Sequence, residues 1–375
     1  MKTGRFAGPI AAVALLLSAP TLPAANLVVP SLEIITRGFM NAGTFQLASN
    51  GDLDLVIEGG YKFGGRIGLS YVDASLEDDD PADRLTFDGV NIIVRDVFKL
   101  PLSLSWFIGT YDVLASGSEF PVSFGTAEIA SAYCGFMYFP TGVQYDGIHQ
   151  VKGTGIRLSA MPVADTLLLS LYLYQDSWLF VDGVGDFEPG YWSADLRVLA
   201  NLAAIKLEAF LGASIVPISV AGWYRAGLLF HASLKNIEVL AELGLPKWDP
   251  VADSPFSINL FSMLLEPRLH LGLFNVAATF FWHPAYYHQA ETSELGTFDV
   301  NLNLFFGDLS KTSTLGGLEG NLDFDATSGT FLFKLAPYIS FTTPGAVWKI
   351  KVNTKLLPFD TSDMFEAFVG VRASF

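Results

Sequence analysis

Phe365-Glu366-Ala367-Phe368-Val369-Gly370-Val371-Arg372-Ala373-Ser374-Phe375 splits by parity into an apolar set, Phe365, Ala367, Val369, Val371, Ala373 and Phe375, and a mixed set, Glu366, Phe368, Gly370, Arg372 and Ser374. Side chains of a β-strand point alternately to its two faces, so the stretch reads as a strand with one wholly apolar face, and a helix would scramble the two sets. Ile205, Leu207, Ala209 and Leu211 against Lys206, Glu208, Phe210 and Gly212 repeat the pattern, as do Trp348, Ile350 and Val352 against Lys349, Lys351 and Asn353. Phe298, Val300, Leu302 and Leu304 against Asp299, Asn301 and Asn303 give a further copy, and Leu269, Leu271 and Leu273 against Arg268, His270 and Gly272 another.

Carried along the chain, this pattern predicts strands near 32–40, 53–63, 65–74, 88–98, 102–111, 149–160, 165–175, 190–200 and 203–213, then near 224–233, 236–245, 264–273, 274–283, 296–306, 315–324, 329–341, 346–356 and 364–375. Tight turns at Phe63-Gly64-Gly65, Lys99-Leu100-Pro101, Ala200-Asn201-Leu202, Leu234-Lys235-Asn236, Gly272-Leu273-Phe274 and Thr343-Pro344-Gly345 alternate with longer loops. Short turns at one end, long loops at the other and an even strand count describe a transmembrane antiparallel up-and-down β-barrel. The expected fold is therefore all-β with about 18 strands; merging one hairpin gives 16, and a hairpin near Cys134 gives 20.

Composition favours a membrane over a soluble sandwich. Hydrophobic residues make up 51% and charged residues only 16%, while aromatics reach 14%, a low-charge and ring-rich balance for a soluble surface. A β-sandwich or jelly roll alternates too, but buries its apolar faces and breaks the pattern where strands change sheets. Cys134 is the single cysteine, which excludes an internal disulfide framework, and it reads as a small packed residue. Lys2 and Arg5, the run Ala11-Ala12-Val13-Ala14-Leu15-Leu16-Leu17 and the small residues Ala24 and Ala25 read as a signal peptide over 1–25. Residues 26–375 are then one barrel domain.

The frame Phe368-Val369-Gly370-Val371-Arg372-Ala373-Ser374-Phe375 resembles the C-terminal assembly signal of bacterial outer-membrane β-barrels, with Gly370 and Phe375 carrying the match and Phe368 and Ala373 departing from it. At class level the chain resembles general porins. That resemblance implies insertion by barrel-assembly machinery into the outer-membrane bilayer, homotrimers, and a third outer loop that folds inward to narrow the channel.

The third and longest outer connection is 112–148. Within it Ile129, Ala132, Tyr133, Phe136 and Met137 recur at helical spacing. Acids crowd the loops, as at Glu77-Asp78-Asp79-Asp80, whereas the wall faces carry Arg66, Arg95, Arg157, Arg197, Arg225, Arg268, Lys349 and Lys351 and read as mildly basic. If 112–148 folds inward, Asp112, Glu119 and Glu128 face Arg66, Arg95 and Arg157 across a constriction and set up a transverse field. The alternative is that lumen ions simply pair and fill a closed barrel. Trp106, Tyr111, Tyr172, Tyr174, Trp178, Trp192, Tyr224, Phe281 and Trp348 fit interface belts, where rings with apolar bodies and polar tips collect.

No catalytic, cofactor or metal constellation emerges. His283 and His288 bracket one loop, two ligands where zinc asks for at least three, and no serine is paired by spacing with a histidine and an acid. The net charge of −16 repels polyanions, so no nucleic-acid partner is expected. The leading function is passive diffusion of small hydrophilic solutes or ions through a water-filled barrel, with weak cation preference from the acidic loops. A gated transporter for a specific or apolar solute and a surface adhesin are the alternatives.

Overall fold

The computed structural model describes residues 26–373 apart from 31, 42–43, 61, 74–83, 133–146, 177–191, 216–221, 252, 254, 284–296, 326–327 and 361–363. The strands are β1 (Asn26–Val28), β2 (Leu32–Asn41), β3 (Thr44–Gly59), β4 (Phe63–Asp73), β5 (Arg84–Val94), β6 (Leu102–Leu114), β7 (His149–Val163), β8 (Leu167–Asp176), β9 (Trp192–Leu202) and β10 (Ile205–Ile215). Then come β11 (Gly222–Ser233), β12 (Ile237–Trp248), β13 (Ser262–Leu271), β14 (Phe274–His283), β15 (Thr297–Gly307), β16 (Thr314–Asp325), β17 (Thr330–Thr343), β18 (Ala346–Leu357) and β19 (Phe365–Ala373). From β2 onward each strand pairs antiparallel with the next, and β19 pairs with β2, with Ala373 opposite Leu32 and Glu366 opposite Phe39. The sheet is thereby closed, which removes every edge.

β1 adds no nineteenth stave. Its residues pair with Val56–Glu58 on the far half of β3, and Leu32 of β2 pairs with Leu53 of the same strand, so β1 and β2 share one column of an 18-strand barrel. Pro30, which lacks the N–H a ladder needs, lies between them.

The parity read from the sequence is the parity of the wall. On β10 Glu208, Phe210 and Ser214 are buried inside, while Leu211 on the other face is 65% exposed. Leu196, Leu228, Leu243, Leu265, Leu302, Ile339, Ile350 and Val369 continue the exposed outer set around the barrel. An apolar outer surface on a closed sheet meets lipid, because every backbone group is satisfied within the barrel.

Local differences from expectation have physical causes. The first hairpin after β3 does not turn at Phe63-Gly64-Gly65, because β3 ends at Gly59, Gly60 takes φ +81 and Phe63 already starts β4. β5 stops at Val94, and Asp96, Phe98 and Lys99 at positive φ make a tight 3-10 turn where a strand to 98 was predicted. In the long connection, α1 (Glu119–Phe124) precedes the predicted helix, and Glu128–Ala132 is not helical. Phe120 and Phe124, one turn apart, stack at 5.8 Å, and Gly125 at φ +64 ends the helix. The rest of the predicted helix, with Cys134, lies outside the described residues, as do the signal peptide, Phe375, His288 and the acidic clusters.

Candidate functional site

The inward side chains at mid-height meet the segment 112–132, and the two are tied by ions. Arg157 near the middle of β7 donates to both oxygens of Glu119 on α1, at 2.9 and 3.3 Å. Arg197, at the centre of β9 and fully buried, lies 2.9 Å from Asp112 and 2.7 Å from Glu208, with Glu119 at 3.7 Å. Glu208 on β10 also accepts the backbone N–H groups of Ala115 and Gly117, at 2.6 and 3.2 Å. The Tyr172 hydroxyl donates to Asp112 at 2.6 Å. A buried charge is tolerated only when it is paired and hydrogen-bonded, and here each is.

Burial raises the Glu119 carboxyl, but the positive charges of Arg157 and Arg197 and the bonds from Arg157 and Ser123 outweigh it, holding the group at about 2, below its ordinary 4.5. It is therefore ionised throughout the neutral range.

A second anchor lies farther round the wall. Glu266 on β13 accepts from Ser131 at 2.6 Å, from the Ala132 N–H at 2.8 Å and from Thr279 at 2.6 Å. Arg268, bonded to Glu266 at 2.6 Å and to Glu238 at 2.6 Å, donates to the Ala130 carbonyl. Between the anchors, Ile129 is buried, and Ile148 seats on Gly244 of β12, where a Cβ would collide with it. The segment thus runs along the inner face of β7 to β13. Its far side carries Val122 at 83% exposure, with Gly125, Ala127, Glu128 and Ala130 also exposed.

A third ionic group lies alongside. Arg225 on β11 chelates Asp195 of β9 at 2.6 and 2.8 Å and contacts Ser214 and the Tyr174 hydroxyl. Gly212 of β10 sits between these partners, and a Cβ there would collide with the Asp195 carboxylate.

Of the six proposed constriction residues, the structure brings together Asp112, Glu119 and Arg157. Glu128 is exposed on the far side of the segment. Arg66 is exposed on β4, in register with Glu58 and Asn91, and Arg95 lies beyond β5 beside Lys62 at the turn end; neither joins the cluster. Gly370 sits within β19, paired with Ile35 and Lys349. Arg197 and Glu208 were legible as wall residues, but not Arg197 as the partner of Asp112 nor Glu208 as the acceptor of the Ala115 and Gly117 N–H groups; the Ala200-Asn201-Leu202 turn sets the two diagonally across β9 and β10, which is the signal that points to them. Glu266 and Glu319 are wall acids that the sequence reading did not name. Tyr172, Tyr174 and Phe281 are not belt residues: strand parity turns them inward, and all three are fully buried.

No family model matches the chain, and no curated relative matches it. Solved structures do. Pseudomonas aeruginosa OccK2 (OpdF) is 11% identical with a TM-score of 0.55, covering 94% of this chain and 98% of its own; the same protein is also seen in complex with glucuronate at a TM-score of 0.53. A BenF-like porin from Pseudomonas fluorescens Pf-5 is 10% identical at 0.52, with coverage of 94% and 98%. A double mutant of the Rh. blastica porin is 11% identical at 0.50, with coverage of 94% and 100%. The chain has the fold of the porins, a closed multi-pass β-barrel of the outer-membrane type.

Proposed function

We propose that the protein is a passive pore for small hydrophilic solutes and ions, narrowed at mid-height by the segment 112–132. The observation that carries this reading is the placement of the segment's anchors: Arg157, Arg197, Glu208, Glu266 and Arg268 all lie on β7 to β13. The segment therefore hugs one arc of the wall, and the opposite arc lines the passage. Barrels of 16–18 strands are wide enough for an aqueous channel. Since Asp112 and Glu119 are neutralised by arginine, the ion preference rests on Glu128 and on the acidic outer loops, and is weakly cationic. A glucuronate complex of a protein with the same fold supports a small polar cargo.

The test is single-channel conductance of the refolded protein in a planar bilayer, with a reversal potential across a salt gradient. Steady ohmic steps with a small cation-selective potential are expected. A folded barrel without conductance overturns the reading.

A further inference from the structure

The arc opposite α1 is built differently from the arc that holds it. α1 is tied to β7 and β9, and nine strands round an 18-strand barrel from β8 and β9 stand β17 and β18. On β15 and β16 the inward residues pair in rows, Asp299 with Asp323, Asn301 with Asn321 and Asn303 with Glu319. β17 and β18 add Tyr338, Lys349, Lys351 and Asn353 on the same face.

Lys349, Lys351 and Arg37 are held by acids on this arc. Glu319 takes both Lys351 and Lys349, the latter at 3.6 Å and also 4.5 Å above the Tyr338 ring. Glu366 takes Arg37 at 3.4 Å. The amides are not consumed in the same way. Asn321 and Asn353 donate their Nδ2 groups to Asp323 and Glu366, but Asn301 Nδ2, Asn321 Oδ1 and Asn353 Oδ1, on side chains over nine-tenths buried, have no hydrogen-bond partner among the described residues. Leaving such atoms unmatched is costly, and the terminal torsion of asparagine is soft enough to turn them toward the lumen. One donor and two acceptors, on β15, on β16 and, one strand beyond, on β18, match a ligand that offers hydroxyls.

We infer that Asn301, Asn321 and Asn353 form a solute-binding rung at mid-height for neutral polyhydroxylated molecules such as sugars. The inference rests on the open-passage reading above. A sugar crossing here exchanges water for the asparagine groups without needing to break the lysine and arginine pairs. A solute carboxylate has to compete with Glu319, which Lys349 and Lys351 share, and with Glu366, which holds Arg37.

The experiment is ion-current block in planar bilayers, with sucrose, glucose or sodium glucuronate added to potassium chloride. Wild type is expected to show saturable block by the neutral sugars, beyond the linear fall due to viscosity, and weaker block by glucuronate. An Asn301→Leu, Asn321→Leu, Asn353→Leu triple variant should conduct salt similarly but bind neutral sugar about fivefold more weakly, the size of roughly one lost hydrogen bond. Where that chain does not insert, Asn321→Ala alone reads the same change at smaller size. Purely linear sugar dependence in a conducting wild type overturns the rung and leaves the pore intact, as does stronger block by glucuronate. Absence of conductance overturns the pore and the rung with it.

Discussion

The two arcs of the inner wall share one sequence pattern and differ in what covers them. From β7 to β13 the inward residues include Arg157, Arg197, Arg225, Glu208 and Glu266, and the segment 112–132 lies on them. From β15 to β18 the buried inward residues include four amides, Asn301, Asn303, Asn321 and Asn353, beside Asp299 and the pair Lys349 and Lys351 that share Glu319. Alternation places polar groups inside on both arcs. Among the described residues, only on the first do carboxylates accept loop backbone N–H groups; the unmatched amide atoms lie on the second, while the first keeps His231 Nδ1 and Glu242 Oε2 unmatched. Polarity at an inward position therefore does not mark the passage; what separates the arcs is whether the segment 112–132 lies on the polar groups.

The largest expected effect breaks the first arc at its centre. Arg197→Ala leaves Asp112 and Glu208 buried without their shared cation, and breaking a buried pair in this way costs about 3–5 kcal/mol. The expected outcome is a lower urea midpoint for the refolded barrel and a larger, noisier conductance as the segment loosens. Adding Glu208→Gln should recover part of the loss, since one orphaned charge is then removed. Unchanged stability and conductance in Arg197→Ala contradict the anchoring role.

Next in size comes the contrast between the two faces of one strand. Leu211 on β10 faces outward, one residue from the inward Phe210. Leu211→Arg puts a guanidinium in lipid near mid-height and should cost about 2–4 kcal/mol in reversible folding into vesicles. A cost near zero means that this face does not meet lipid.

The fold was nearly all legible because the apolar outer set repeats with period two across every strand, and lipid tolerates few exceptions on that face. Each of the 18 staves answers to one predicted strand, although β3 (Thr44–Gly59) and β5 (Arg84–Val94) start and end earlier in the chain than the predicted 53–63 and 88–98. Turn positions were less legible: Phe63-Gly64-Gly65 and Gly60 are equally plausible hinges by composition, and only the register with β5 separates them. The site was half legible. Asp112, Glu119 and Arg157 were named together, but the partnership of Asp112 with Arg197 depends on how far the segment reaches round the wall, which no local spacing encodes. Arg66 and Arg95 failed for a related reason, because strand parity gives a residue's face but not its height or its distance round the barrel.

pH offers a smaller perturbation of the first arc. Glu119 titrates at about 2 in the folded protein, below its ordinary 4.5, so its contribution is fully present above 4.5 and is lost as pH falls toward 2. The shift corresponds to at most about 3 kcal/mol. Conductance should hold steady from pH 8 to pH 5 in this respect and rise or become noisy only below about 4.5, the ordinary carboxylate value. Glu119→Gln should remove that acid transition while weakening the Arg157 contact at neutral pH. An acid transition that persists unchanged in the variant assigns it to another carboxylate.

The smallest effect on stability separates an anchoring acid from a field-setting one. Glu128 belongs to the same segment as Glu119, yet it is exposed and enters no ion pair among the described residues. Glu128→Gln should therefore change stability by no more than about 0.5 kcal/mol, as surface substitutions away from networks do. If Glu128 faces the passage, the same substitution shifts the reversal potential toward anions, and the shift shrinks at high salt because the charge is screened. Glu119→Gln is expected to do the reverse, loosening the segment with little direct change in selectivity, since its charge is already matched by Arg157. A reversal potential insensitive to Glu128→Gln places the controlling charges in the outer loops and removes the segment from ion selection, though not from narrowing the channel.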